Sequence, residues 1–415
     1  MNVSLPGLDS IRQFDREDPL SVFRDEFELP ANVVYLDGNS LGALPIAAKA
    51  IARRTVEQEW SDGLVRSWND AGWYELPRRL GGKIAGIVGA APDEVVMTDA
   101  TGINLSKVMA AALALRPERR VIVMEGSNFP TNNYSVQGLL QLLGNQHEIR
   151  FVEADDLAEA ITEDVAVLCL THVHYKTGNL LDMAALTSRA HAAGALAVWD
   201  LCHSAGALPV DLNACQVDYA VGCTYKYLNG GPGAPAFLFA ARRHQGQAQQ
   251  PLTGWWSHAD PFALERDYRP APSIAQMQSG TQPVLSMAVA EAGIDLALRA
   301  PIDQVRAKSS ALGKLFIDLV EAHCANHGFA LACPREAGRR GSQVSLSHPG
   351  AYAIMRALID RNVIGDFRAP DVLRFGLTPL YLRYEDVYTA VQELNDVMST
   401  DAWRRPEYAR RVVVT

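Results

Sequence analysis

Seven short apolar runs alternate with amphipathic stretches through the middle of the chain, and this alternation restricts the fold more than any other feature of the sequence. The runs cover residues 94–98, 120–124, 149–153, 165–171, 195–200, 217–223 and 236–239. Many are unbroken Val, Ile, Leu and Ala, the texture of parallel strands covered on both faces. Between them, Leu105, Val108, Met109 and Leu113 recur on one face of a helix that follows Thr101. Residues 183–193 read as a second helix, stopped by Gly194. Alternating strands and helices predict an α/β fold, a mainly parallel sheet joined by right-handed crossovers.

A chain of 415 residues is too long for one small core. The texture changes from about residue 285 to a helix, strands near 344–346 and 372–376, and a closing helix. A large α/β domain is therefore expected over 50–290, with a smaller α+β domain built from 1–49 and 291–415. The net charge of −9 argues against a nucleic-acid or anionic-membrane partner. No stretch reaches the roughly 18 apolar residues of a membrane span, and no signal peptide is evident. The six cysteines are scattered and form no CxxC pair, as expected for reduced thiols in a cytoplasmic protein.

Ligands of open α/β sheets sit beyond the carboxyl ends of the strands. Three candidate strand ends carry chemistry. The first run leads into Asp99-Ala100-Thr101-Gly102, where free N–H groups at a helix start make a phosphate site. The run at 195–200 ends on Asp200, three residues before His203, and the run at 217–223 leads into Tyr225-Lys226-Tyr227. Alone, each has a plain reading: a helix cap, a structural carboxylate, a solvated lysine. Together they supply what pyridoxal 5'-phosphate (PLP) needs: a phosphate cradle, an acid against its pyridine nitrogen and an amine for its aldehyde. Phe129 is placed to stack on the ring and Thr171 to meet its other side. His203 is expected to orient the cofactor or its phosphate. His172 and His174 would share one face of an extended segment, but no third ligand is evident, so no metal is expected.

Longer motifs carry a family resemblance. They include Tyr35-Leu36-Asp37-Gly38-Asn39-Ser40, Asn128-Phe129-Pro130-Thr131, Asp200-Leu201-Cys202-His203-Ser204, Cys223-Thr224-Tyr225-Lys226-Tyr227-Leu228-Asn229-Gly230-Gly231, Gly254-Trp255-Trp256, Gly280-Thr281-Gln282-Pro283 and Arg374-Phe375-Gly376. With these the chain resembles the kynureninase family of fold-type I PLP enzymes, within the class V aminotransferase superfamily. The resemblance implies hydrolysis of the Cβ–Cγ bond of L-kynurenine or 3-hydroxykynurenine, giving anthranilate or 3-hydroxyanthranilate and L-alanine, a step of the kynurenine pathway that serves tryptophan catabolism or NAD biosynthesis.

It also implies residue roles. Lys226 would bear the cofactor and move the α-proton, Asp200 would pair with the pyridine nitrogen, and Tyr225 would donate a proton in later steps. Thr101, Gly102, Phe129, Asn132, Thr171, His203, Tyr225 and Trp255 would line the cofactor. Thr281 would enter from the partner subunit of a homodimer, and Arg374 would grip the substrate's α-carboxylate.

The chain departs from the family pattern at Asn132, where bacterial members usually carry an acid, and at Gly102, where a hydroxyl is common. Losing that hydroxyl removes a hydrogen bond, typically about 1 kcal/mol. His174 and Gln278-Ser279-Gly280 also look altered, where the substrate's aryl end would rest. A modified kynurenine or another γ-keto amino acid is therefore the alternative substrate. Other classes remain in view. A cysteine desulfurase would need a nucleophilic thiol, for which Cys333 is the candidate; an aminotransferase would cleave no C–C bond. A PLP-binding protein without catalysis is disfavoured by the joint presence of Lys226, Asp200 and Arg374.

Overall fold

The computed structural model describes residues 5–247 and 249–412. They fall into two units. One runs from Ala48 to His172 and from Leu181 to Leu298; the other takes the residues up to Ala47, Val173–Leu180, and those from Arg299 onward.

The larger unit is built on seven strands: β1 (Val95–Met97), β2 (Val121–Glu125), β3 (Glu148–Val152), β4 (Val165–Thr171), β5 (Leu196–Asp200), β6 (Tyr219–Gly222) and β7 (Phe237–Ala240). Their order across the sheet is β1-β7-β6-β5-β4-β2-β3. The pairs from β6 to β3 are parallel, while β7 runs antiparallel to both its neighbours, β6 and β1. Each apolar run of the sequence falls on one of these strands. For β7 the inference from composition to parallel pairing does not hold. Phe237, Leu238, Phe239 and Ala240 are all fully buried, and burial on both faces is what sets their composition.

Alternation along the strands feeds two cores, one on each face. In β2, Val121 and Val123 join one apolar cluster while Ile122 and Met124 join the other. The first cluster takes Leu80, Ile84 and Val88 of helix α1 (Leu76–Val88); the second takes Leu105, Val108 and Met109 of helix α2 (Thr101–Ala114). Each such buried aliphatic side chain stabilises the fold by about 1.5–3 kcal/mol. Helix α2 is buried almost all round, not on one face as its pattern predicts, and even Lys107 is fully enclosed. Helix α3 (Pro130–Leu142) starts with proline in its first turn. Helix α4 (Met183–Ala192) ends as the sequence predicts, at Gly194 with φ +81°. The Gly194 and Ala195 N–H groups donate back to His191 and Ala190 carbonyls, which satisfies the last turn. Helix α5 (Val284–Arg299) follows.

The smaller unit holds an antiparallel sheet of β8 (Ala330–Leu331), β9 (Gln343–Ser347), β10 (Asp366–Arg368) and β11 (Val372–Gly376), in the order β8-β9-β11-β10. Helices α6 (Ile302–His323), α7 (Ala351–Ile359) and α8 (Tyr384–Ser399) belong to it. So does the parallel pairing of Val34–Tyr35 with Val363–Ile364. Among the described residues no helix is long and apolar enough to cross a membrane.

Candidate active site

Asp200 is the last residue of β5 and Thr171 the last of β4, so both side chains stand at the carboxyl rim of the larger sheet. Asp200 is buried, and both its oxygens are held. Oδ1 accepts from the Cys202 backbone N–H at 2.8 Å and Oδ2 from Asn132 Nδ2 at 2.7 Å. Asn132 Nδ2 also lies 3.4 Å from Thr171 Oγ1, and the Thr171 hydroxyl donates to Asn128 Oδ1 at 2.6 Å. Asn128 Oδ1 in turn accepts from the Phe129 N–H at 2.7 Å. This chain of bonds fixes the entry to α3, where the Phe129 side chain stays 44% exposed and able to stack on a flat ligand.

Lys226 lies in the turn after β6, with its Nζ 2.9 Å from His203 Nε2. The turn is closed by the Asn229 N–H donating to the Lys226 carbonyl and the Gly230 N–H to the Thr224 carbonyl, both at 2.9 Å. Helix α5 packs directly on it at Gly293, where a Cβ would stand 2.1 Å from the Leu228 carbonyl oxygen. Beside Lys226, burial pushes the Tyr225 phenol well up, and the neighbouring thiols of Cys223 and Cys202 and the Asp200 carboxylate add to it. Tyr225 therefore keeps its proton at neutral pH.

The third element is the start of α2. Ala100 provides no capping side chain, so the first-turn N–H groups remain open to an anion. Thr101 Oγ1 lies 3.8 Å from Cys202 Sγ, which sets this terminus against the Asp200–His203 turn. Gly102 faces α3: a Cβ there would come within 3.0 Å of both Ser135 Oγ and Thr131 Cγ2. A side chain at this position would need Ser135 or Thr131 to give way.

One set of contacts thus joins Thr101, Asn132, Thr171 and Asp200, and a direct bond joins His203 to Lys226. An amine, a buried acid, an uncapped helix start and an open aromatic face fit PLP. Among the described residues this network does not extend to Trp255, which packs against Trp256 at 4.7 Å, or to Thr281, which is exposed. Three residues of the arrangement were given no role from the sequence. Asn128 and Cys202 brace Phe129 and Asp200; Lys107 lies beneath the start of α2. Asn128 was legible in principle, as an Asn just ahead of a proline-started helix. The other two sit in apolar contexts that conceal them.

Arg374, on β11 of the smaller unit, already has its guanidinium held. Nε donates to Asp366 Oδ1 at 2.8 Å, and Nη2 to Asp366 Oδ2 and to Ser40 Oγ, the latter at 2.7 Å. Nη1 donates to the Tyr175 carbonyl, which leaves one N–H beyond these bonds. Arg374 holds the Asp366 carboxyl low against the effect of burial, whereas burial and the Asp366 charge push nearby Asp37 up to about 7. Cys333 is no poised nucleophile: burial pushes its thiol up, and its sulfur accepts the Ser345 N–H at 3.5 Å.

Comparison with known proteins agrees with this geometry. The family profile of the kynureninase C-terminal domain matches residues 305–394. Kynureninase of Burkholderia mallei (strain SAVP1) is 52% identical, over 97% of this chain and 98% of that protein. Kynureninase of Pseudomonas fluorescens is 50% identical over the same shares. Among solved structures, the apo cysteine desulfurase from Thermococcus onnurineus NA1 has a TM-score of 0.78 at 20% identity, over 92% of this chain and 98% of that one. A variant of the cystine lyase C-DES, with glycine covalently linked to its PLP cofactor, also has a TM-score of 0.78, at 18% identity over 90% and 99% of the two chains. The structural likenesses identify the fold as fold-type I, and the near full-length identity to two bacterial kynureninases settles the rest: the chain belongs to the kynureninase family.

Proposed function

We infer that the chain is a PLP-dependent hydrolase that cleaves the Cβ–Cγ bond of L-kynurenine, or of its 3-hydroxy form, to an anthranilate and L-alanine. Identity at 50–52% over 97% of the chain to kynureninases carries this reading. The cofactor, when bound, supplies an electron sink for charge released at the substrate's α-carbon. Lys226 is the amine that would anchor it and, once freed, hold or move the α-proton, with His203 Nε2 at 2.9 Å as its hydrogen-bond partner. Asp200, held by Asn132 and the Cys202 N–H, would keep the pyridine nitrogen protonated by charge pairing.

Thr101 and Gly102 would offer N–H groups to the phosphate, and Phe129 a ring face. Tyr225, kept protonated by its surroundings, is suited to donate a proton to the departing fragment. Arg374 would meet the α-carboxylate with its remaining N–H, and Trp255 would flank the cofactor. Thr281, exposed in a single chain, suits a site completed across a homodimer. Six free thiols suit the cytoplasm.

The test is to incubate the PLP-loaded protein with L-kynurenine and follow anthranilate fluorescence together with alanine. Equal yields of both are expected. The Lys226→Ala variant should lack the borohydride-reducible visible band and release neither product. Alanine without anthranilate, or a band that survives the substitution, would overturn the reading.

A further inference from the structure

Directly beneath the start of α2 lies an ion pair, its lysine buried and its carboxylate partly exposed, that the cleavage reaction does not use. Lys107 is fully enclosed, two turns into the helix. Its Nζ donates to Asp99 Oδ2 at 2.6 Å and to the Met277 carbonyl at 2.7 Å. Asp99 sits in the left-handed region, with φ +43°, in the turn that feeds the uncapped helix start. The Thr98 hydroxyl lies 2.9 Å from the same Asp99 oxygen. Met277 closes the short helical turn Ile274–Met277, ahead of the segment that bears Thr281.

We propose that Lys107 is a positioning residue for the phosphate end of the cofactor, acting by neutralising Asp99 and by tying the turn before α2 to the Met277 segment. The inference rests on the PLP reading above. A carboxylate two residues before Thr101 would repel a phosphate dianion if it stood unpaired. The buried ammonium cancels that charge at contact distance, where little solvent intervenes to screen it. The Asp99 carboxylate compensates the ammonium in return, because burial pulls Lys107 down and only Asp99 opposes it. The second bond, to Met277, makes one cation a strut between the turn that feeds α2 and the segment that leads to Thr281.

The experiment compares affinity for PLP with affinity for pyridoxal, which lacks the phosphate, by absorbance titration of the stripped protein. Lys107→Met is expected to weaken PLP at least about tenfold while leaving pyridoxal within about twofold. Asp99→Asn keeps a residue type that tolerates the left-handed turn and removes the repelling charge. It should bind PLP at least as tightly as the parent, and combined with Lys107→Met it should restore most of the lost affinity. Because Asp99→Asn leaves a fully buried ammonium without its counter-charge, it risks misfolding, and Lys107→Met, whose partner carboxylate stays partly exposed, then decides alone. Equal losses for PLP and pyridoxal, unchanged PLP affinity in a folded Lys107→Met variant, or a tenfold PLP loss in Asp99→Asn would each overturn the proposal. A parent that binds no PLP at all would instead sink the functional reading on which it stands.

Discussion

Asn132 donates to Asp200 at 2.7 Å, a contact in which a neutral amide supports a carboxylate without adding charge. Asn132→Asp would set two acids at that separation, and they would share a proton over part of the accessible pH range. The bound cofactor should then show a pH-dependent change in its visible band that the parent lacks. Absorbance titration of both proteins checks this, and identical profiles would count against the contact. At this scale the sequence was informative where chemistry demands a residue type. Asp200 and Thr101 stand at a strand end and a helix start, and Lys226 in the turn after a strand, where the sequence places them. It was silent where a side chain acts through a neighbour. The role of Cys202 behind Asp200 has no spacing that betrays it.

Helix α5 touches the Lys226 turn without an intervening side chain at Gly293. Adding a methyl there would drive it into the Leu228 carbonyl, so Gly293→Ala should destabilise the larger unit by about 1–3 kcal/mol. It should also loosen the turn, so PLP retention through gel filtration falls together with the melting temperature. A variant with parental melting temperature and parental retention would show that the helix can yield. The elements themselves were largely readable. Seven apolar runs became seven strands and Gly194 ended its helix, because strand burial and left-handed caps write directly into composition. The direction of β7 was not readable, since a strand buried on both faces looks the same whichever way it runs. Nor was the enclosure of α2: Lys107 reads as a solvated side chain until tertiary packing supplies Asp99 and the Met277 carbonyl.

For the molecule as a whole, two buried acids bound the pH range of stability from opposite sides. Burial pushes the Glu125 carboxyl, whose Oε2 has no hydrogen-bond partner, up to about 7 from an ordinary value of 4.5. The folded state thus holds a proton that the unfolded chain has released, and stability falls as pH rises from about 4.5 to 7. Glu125→Gln should raise the melting temperature at pH 8 and change it little at pH 4; the opposite ordering would refute the assignment. Asp218 works the other way. Burial disfavours its charge, but bonds from His191, His244, the Ala197 N–H and Arg243 outweigh that and hold the carboxyl well below its usual range. Its contribution is present above the unfolded carboxylate pKa near 4 and fades as acid protonates it. The parent should therefore melt above Asp218→Asn at pH 7, with the gap narrowing below about pH 4; a gap independent of pH would refute this.

The reversed strand also has a bearing on biogenesis. β7 is the last of the seven to leave the ribosome, yet it is the one that clasps β1 to the rest of the sheet. A nascent chain halted before Phe237 already carries Lys226 but lacks the strand that pairs β1 into the sheet. The helix start that follows β1 therefore gains its place against the rest of the sheet only late in translation.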